Sequence, residues 1–359
     1  MSVPAKDNSP FNLMASFGHQ KLVFCNDDSV GLQAVIAIHD TTLGPAIGGV
    51  RMLPYQRVDE AVDDVLRLSR GMTYKAAVAG VNLGGGNAAI FGDHRTQKSE
   101  VLLRRFGQFV EELNGTFIAS LDIGTTPRDM EFIQMETGYV AGLPKSLGGS
   151  GDSAPFTAKG VYYGIKASLK ERYGNDSLAG RTVAVQGAGN VGEQLIALLR
   201  EENAKVYVSD IVEERMVEVA NKYKAVPVAN NNIYELDVDV YSPCALGGTV
   251  NKDTIAKMRC RIIAGSANNQ LRNEAEDAQL LMDKDILYAP DYLINAGGLV
   301  SCYSEIAGYG ASRTAALTET IYETTRSVLR KSINEKVAPY RAANQLAEER
   351  IADIRKIKR

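Results

Sequence analysis

Thr182-Val183-Ala184-Val185-Gln186-Gly187-Ala188-Gly189-Asn190-Val191-Gly192 is the stretch that decides the fold of this chain. Thr182 to Gln186 reads as a short buried strand, and a helix-forming run from Glu193 to Arg200 follows the last glycine. A GxGxxG pattern alone is a weak signal. Here it leaves a strand, opens a helix, and is followed at the end of the next apolar run by Asp210, 18 positions beyond Gly192. That context marks a dinucleotide-binding βαβ unit. Gly187 permits the turn, Gly189 lets the backbone approach a pyrophosphate, and Gly192 allows the helix to pack on the strand. The helix N-terminus over Ala188, Asn190 and Val191 offers free N–H groups and a positive dipole end to the phosphates. Asp210 would accept hydrogen bonds from ribose hydroxyls and repel a 2′-phosphate, so NAD is expected rather than NADP.

Working outward, Val206-Tyr207-Val208, Asp239-Val240-Tyr241, Ile262-Ile263-Ala264 and Ile286-Leu287-Tyr288 read as further parallel strands at helix-connected spacing, the pattern of a doubly wound sheet. A helix is expected over Thr157 to Arg172, preceded by a glycine-rich hinge at Gly148 to Asp152. Before it, Leu32 to Ile38 reads as a strand, and Asp59 to Ser69 and Lys98 to Leu113 as helices. Ala315 to Lys358 is almost wholly helix-forming and is expected to pack back on the first part. The fold class is therefore α/β with two domains: 148–330 the Rossmann domain, and 1–147 plus 331–359 a second α/β domain.

Composition narrows the function. Of 359 residues, 45% are hydrophobic and 23% charged, and the net charge is −3, which gives no electrostatic case for nucleic acid or an anionic membrane. The basic end, Arg355 to Arg359, is short enough to be a solvated helix terminus. No apolar run approaches the roughly 18 residues of a membrane span, and Met1 to Pro10 lacks the pattern of a secretory signal. With four scattered cysteines, no CxxC and three histidines, neither a metal site nor a disulfide framework is expected. A cytoplasmic location with reduced thiols follows.

Other blocks carry a resemblance. Ile38-His39-Asp40-Thr41-Thr42-Leu43-Gly44-Pro45-Ala46-Ile47-Gly48-Gly49, Leu66 to Lys75, Asp122-Ile123-Gly124-Thr125-Thr126, Pro243 to Gly248, Ala264 to Leu271 and Ala289 to Gly298 stand in order along the chain. Together they resemble the leucine/phenylalanine/valine dehydrogenase family over roughly residues 20–350. The resemblance implies NAD-dependent, reversible oxidative deamination of a branched or aromatic L-amino acid, catalysis in a cleft between the domains, and homo-oligomers formed through the first domain. It makes Lys75 the grip on the substrate α-carboxylate, with Gly48 and Gly49 letting backbone N–H groups come near. Asp122 becomes the acid–base group at the substrate nitrogen. Ile47, Ser120, Leu299 and Cys302 would surround the substrate side chain, and Met72 and Asn268 would contact the substrate. Asn269, Asn295, Thr157, Cys244 and Ala245 would join the glycine loop around the cofactor.

One position departs from the pattern. Where the family has Gly-Gly-Gly-Lys, this chain has Gly84-Gly85-Gly86-Asn87. The family's lysine acts as general base towards the water that attacks the imine. Asparagine takes up no proton near neutral pH and retains only a positioning role. Three readings follow: an impaired or altered amino-acid dehydrogenase, an NADH-dependent reductase of a preformed imine, or a non-catalytic NAD-binding pseudoenzyme.

Overall fold

The computed structural model describes residues 9–357; most of the polar start and the last two residues lie outside the described residues. The chain forms two compact units, one of residues 1–152, 302–308 and 348–359, the other of residues 153–301 and 309–347.

The first unit is built from α1 (Pro10–Phe17), β1 (Lys21–Asp27), β2 (Leu32–Asp40), β3 (Ala46–Leu53), α2 (Val58–Val78), β4 (Gly84–Phe91), α3 (Glu100–Glu112), β5 (Phe117–Leu121) and α4 (Pro127–Gln134). Its sheet has the order β1-β2-β4-β3-β5. β2 runs antiparallel to β1 and β4, whereas β3 is parallel to β4 and β5. Strand alternation divides the core. Ile36, Ile38, Val50, Met52, Ala88, Ile90 and Phe117 pack with Phe106 of α3 and Ile133 of α4. Val35, Ala37 and Ala89 point the other way, against Ala61, Val62, Val65 and Leu66 of α2.

One expectation is corrected here, and one stretch left without an element takes a form its composition does not suggest. The helix read over Asp59 to Ser69 continues through Gly71 to Val78, so Lys75 lies inside its last turn rather than after it. The Gly84-Gly85-Gly86 run, a poor strand sequence by propensity, is a buried central strand. Packing overrides propensity in this strand. A Cβ on Gly85 would stand 2.1 Å from Ser69 O and 2.2 Å from Thr73 Oγ1, so only glycine lets α2 lie directly on β4.

The second unit contains α5 (Ala154–Tyr173), β6 (Thr182–Gln186), α6 (Asn190–Glu201), β7 (Lys205–Ser209), α7 (Glu213–Tyr223), β8 (Val226–Pro227), β9 (Val240–Pro243), α8 (Lys252–Lys257), β10 (Ile262–Ile263), α9 (Glu274–Asp283), β11 (Leu287–Tyr288) and α10 (Asp291–Ile294). The sheet is wholly parallel with the order β11-β10-β9-β6-β7-β8, the doubly wound Rossmann arrangement.

The C-terminal stretch is not one helix returning to the first unit at residue 331. α11 (Gly297–Ile306) passes into the first unit after Ser301, α12 (Ala311–Glu335) belongs to the second, and α13 (Pro339–Ile357) rejoins the first only from Glu348. The reason is local. Lys336 adopts a left-handed conformation that ends α12, and Tyr340 is buried in the second unit's core beside Tyr288 and Ile255.

Candidate active site

In the first unit, the register places four residues level across the sheet. Asn87 pairs with Ala37, and Gly49 with Ser120. The β3–β4 pairs Ile47↔Gly85 and Val50↔Ala88 set Gly49 level with Asn87. Ala37 faces α2, so this row, with Ile47 two residues back along β3, lines the face on which α2, the helix of Lys75 and the half-buried Met72, packs. Gly48 points to the opposite face, where a Cβ would stand 1.7 Å from Gly86 O. Asp122, just past β5, folds back over Gly49: a Cβ there would lie 2.5 Å from Asp122 Cβ.

Asn87 is 2% exposed, and its Oδ1 is buried without a hydrogen-bond partner among the described residues. A buried amide oxygen left in that condition costs about 1–3 kcal/mol. The thiol of Cys302 is pushed up to about 12 by burial; Glu305 adds to the rise and Lys75 opposes it, so the charge of Lys75 reaches this thiol. Glu305 itself accepts from the backbone N–H groups of Gly142, Leu143 and Ser150 at 3.1, 3.3 and 2.8 Å. It thereby fastens the glycine-rich segment that ends the first unit.

Residues that the sequence reading passed over hold these groups in place. Arg51 of β3 donates to both oxygens of Asp122, Nε to Oδ2 at 3.0 Å and Nη2 to Oδ1 at 3.3 Å, and to Asp64 of α2 at 2.7 Å. Burial works against the guanidinium cation, but Asp122 and Asp64 hold its pKa above the ordinary value. The available signal was a cation inside the apolar run Val50-Arg51-Met52. Behind α2, His39 Nδ1 lies 2.8 Å from Thr73 Oγ1, and His19 Nε2 lies 2.7 Å from Ser69 Oγ. At the end of α2, Arg350 donates to the carbonyls of Ala76, Ala77 and Val81.

In the second unit the glycine loop has the form read from the sequence. Gly187 has φ +108°, and a Cβ there would stand 2.8 Å from the Cys244 backbone; one on Gly192 would stand 2.0 Å from Gly187 O. Above Gly189 no described atom lies within 4 Å of the Cβ position. α6 opens at Asn190, beside Val191, with no side-chain cap. Its N-terminus is thus suited to an anion, and the open cradle fits a pyrophosphate. Asp210 accepts from Ala188 N–H at 2.7 Å and Val212 N–H at 2.9 Å, which ties the loop to the end of β7. Gln186 is buried, donating to Asn230 and Tyr234 and accepting from Tyr241, a network with no sequence signal.

Asn268 and Asn269 are exposed, and Asn269 sits in the left-handed region at φ +50°. Asn295 Nδ2 donates to Asn268 Oδ1 at 2.7 Å. Cys244 is half-buried, its Sγ 3.5 Å from Ser242 Oγ, and Ala245 follows it. Thr157, on α5, would be 2.9 Å from a Cβ on Gly298, which stands next to Leu299 in α11. Gly187, Cys244 and Asn268 follow the ends of β6, β9 and β10, and Asp210 the end of β7.

Residues 19–139 match the model of the Glu/Leu/Phe/Val dehydrogenase dimerisation domain, and residues 148–212 and 207–359 that of Glutamate/Leucine/Phenylalanine/Valine dehydrogenase. This chain belongs to that family. It is 47% identical to the leucine dehydrogenase of Bacillus subtilis (strain 168), over 96% of this chain and 95% of the relative. It is 45% identical to the phenylalanine dehydrogenase of Thermoactinomyces intermedius, over 97% and 96%. The crystal structure of L-tryptophan dehydrogenase from Nostoc punctiforme superposes with a TM-score of 0.86 at 44% identity, covering 96% of this chain and 99% of that one. As an amino-acid dehydrogenase of this family, the chain is an oxidoreductase acting on CH–NH2 donors. No described helix is long and apolar enough to cross a membrane.

Proposed function

We propose that the protein catalyses oxidative deamination of a hydrophobic, branched or aromatic L-amino acid with NAD, and that Asn87 slows the step in which water is added. An amino acid, water and NAD+ give a 2-oxo acid, ammonium, NADH and a proton. Lys75 grips the α-carboxylate as a point charge, and Asn268 presents amide N–H groups to the substrate. Asp122 takes and returns the proton at the substrate nitrogen. The chemistry that NAD supplies when bound is acceptance of the hydride from Cα. Gly187 to Gly192 would hold its pyrophosphate and Asp210 its ribose, with Thr157, Cys244, Ala245, Asn269 and Asn295 around the nicotinamide half. Ile47, Ser120, Leu299 and Cys302 are assigned to the substrate side chain, and Met72 to the substrate. Assembly is as a homo-oligomer through the first unit.

The observation that carries this reading is Asn87 itself: a neutral amide, buried on the row beneath Asp122, with an acceptor that no group among the described residues engages. It can accept from a water or from a substrate N–H, but it cannot remove a proton. Loss of one positioned acid–base group typically slows a reaction by about 10²–10⁴. Asn87→Lys is therefore expected to raise NADH formation by roughly 10²-fold or more on a panel of leucine, phenylalanine and tryptophan, and to add an ionisation to the pH profile. A parent already turning over at about 10 per second, ordinary for enzymes, would refute the need for a base here. The same unengaged acceptor suits a second reading, reduction of a preformed imine, which needs no water. In that case the parent reduces cyclic imino acids with NADH and Asn87→Lys gains nothing.

A further inference from the structure

We infer that Arg51 is a positioning residue for Asp122, holding it as an oriented carboxylate over Gly49; this rests on the reading of Asp122 as the acid–base group. The grip is two-pronged, with Nε and Nη2 meeting different oxygens at 3.0 and 3.3 Å. Such a fork fixes the plane of a carboxylate, which a single-point contact does not. Arg51 is in turn held by Asp64, which also accepts from the Tyr55 hydroxyl at 2.5 Å. Tyr55, Asp64 and Arg51 thus form a chain from α2 to the acid–base carboxylate.

The remaining contacts of Asp122 agree. Ile123 N–H donates to its Oδ1 at 2.8 Å, and its own N–H donates to Thr125 Oγ1 at 3.0 Å. Thr125 in turn donates to Val50 O at 2.9 Å. Gly49 leaves the space into which the side chain folds. The Arg51 side chain is 12% exposed, whereas a fifth of the Asp122 side chain stays open. The carboxylate is therefore gripped from within and free on one side. In a site where position 87 is neutral, Arg51 supplies the cation in contact with Asp122.

Steady-state turnover, split into kcat and KM, tests this in the full-length protein, alone and with Asn87→Lys. Arg51→Gln is expected to lower kcat on the order of 10²-fold, the scale of a misaligned reacting group, while the KM for the amino acid and the affinity for NADH stay unchanged. Arg51→Lys keeps the charge without the fork, so kcat recovers only in part. If Arg51→Gln cannot be purified folded, Asp64→Asn is expected to lower kcat less, again with KM and NADH affinity unchanged. Where turnover is slow, binding of 4-methyl-2-oxopentanoate to the NADH complex, read by NADH fluorescence, takes the place of KM and should stay unchanged. Asp122→Asn separates the two claims. If it keeps full activity, the acid–base reading falls and the Arg51 role with it. If it loses activity while Arg51→Gln keeps the parent kcat, the positioning role alone is overturned.

Discussion

The two units build their chemistry in different ways. In the second, the residues that fit a pyrophosphate are consecutive: a turn at Gly187, an open cradle at Gly189 and a helix start at Asn190. The functional atoms there are backbone N–H groups, and their placement follows from one strand–turn–helix unit. In the first, Lys75, Asn87, Gly49, Ser120 and Asp122 come from one helix, three strands and the loop beyond the last strand. Their side chains are brought level only by sheet register. A backbone site is thus coded locally and damaged locally, whereas a side-chain site depends on every strand that sets its register.

Gly49→Ala is the sharpest way to break this contrast. Its Cβ would stand 2.5 Å from Asp122 Cβ, so turnover should fall by roughly 10²-fold while NADH titration is unaffected. A parallel loss of NADH affinity would mean that the two regions are not separable. Lys75→Ala is next. Loss of a charged hydrogen bond of about 1.5–3 kcal/mol should weaken 2-oxo-acid binding without touching the cofactor, and unchanged oxo-acid affinity would place the carboxylate elsewhere. A smaller effect is expected for the cofactor: NADH should bind about tenfold or more tightly than NADPH, roughly 1.4 kcal/mol, and Asp210→Ser should narrow the gap. Equal affinities in the parent would remove Asp210 from that role.

The smallest effect concerns the support behind α2. Burial and the neighbouring His39 lower the His19 pKa to about 4, and burial also lowers that of His39. An unfolded histidine titrates near 6.5, so between roughly pH 6.5 and 4 the unfolded chain binds more protons than the folded one. This contribution to stability is complete above that window and declines as pH falls through it. Melting temperatures from pH 7 to 4 should fall less steeply in His19→Gln than in the parent, and identical slopes would exclude the histidine pair as a cause.

The sequence by itself determined the Rossmann unit, because a glycine loop between a strand and a helix is a local pattern with a local geometrical cause. It also marked Lys75, Asp122 and the unusual Asn87, because the motifs around them are contiguous. It did not disclose that Gly84 to Gly86 form a central strand, since three glycines weaken a strand unless a helix and its neighbours press on them, as Ser69 and Thr73 do at Gly85. Nor did it disclose that Arg51, 71 positions from Asp122, is the hand on that carboxylate. Ion pairs between strands, like the point at which α13 leaves one unit for the other, depend on burial and register. Those are properties of the packed sheet, and no stretch of the chain carries them alone.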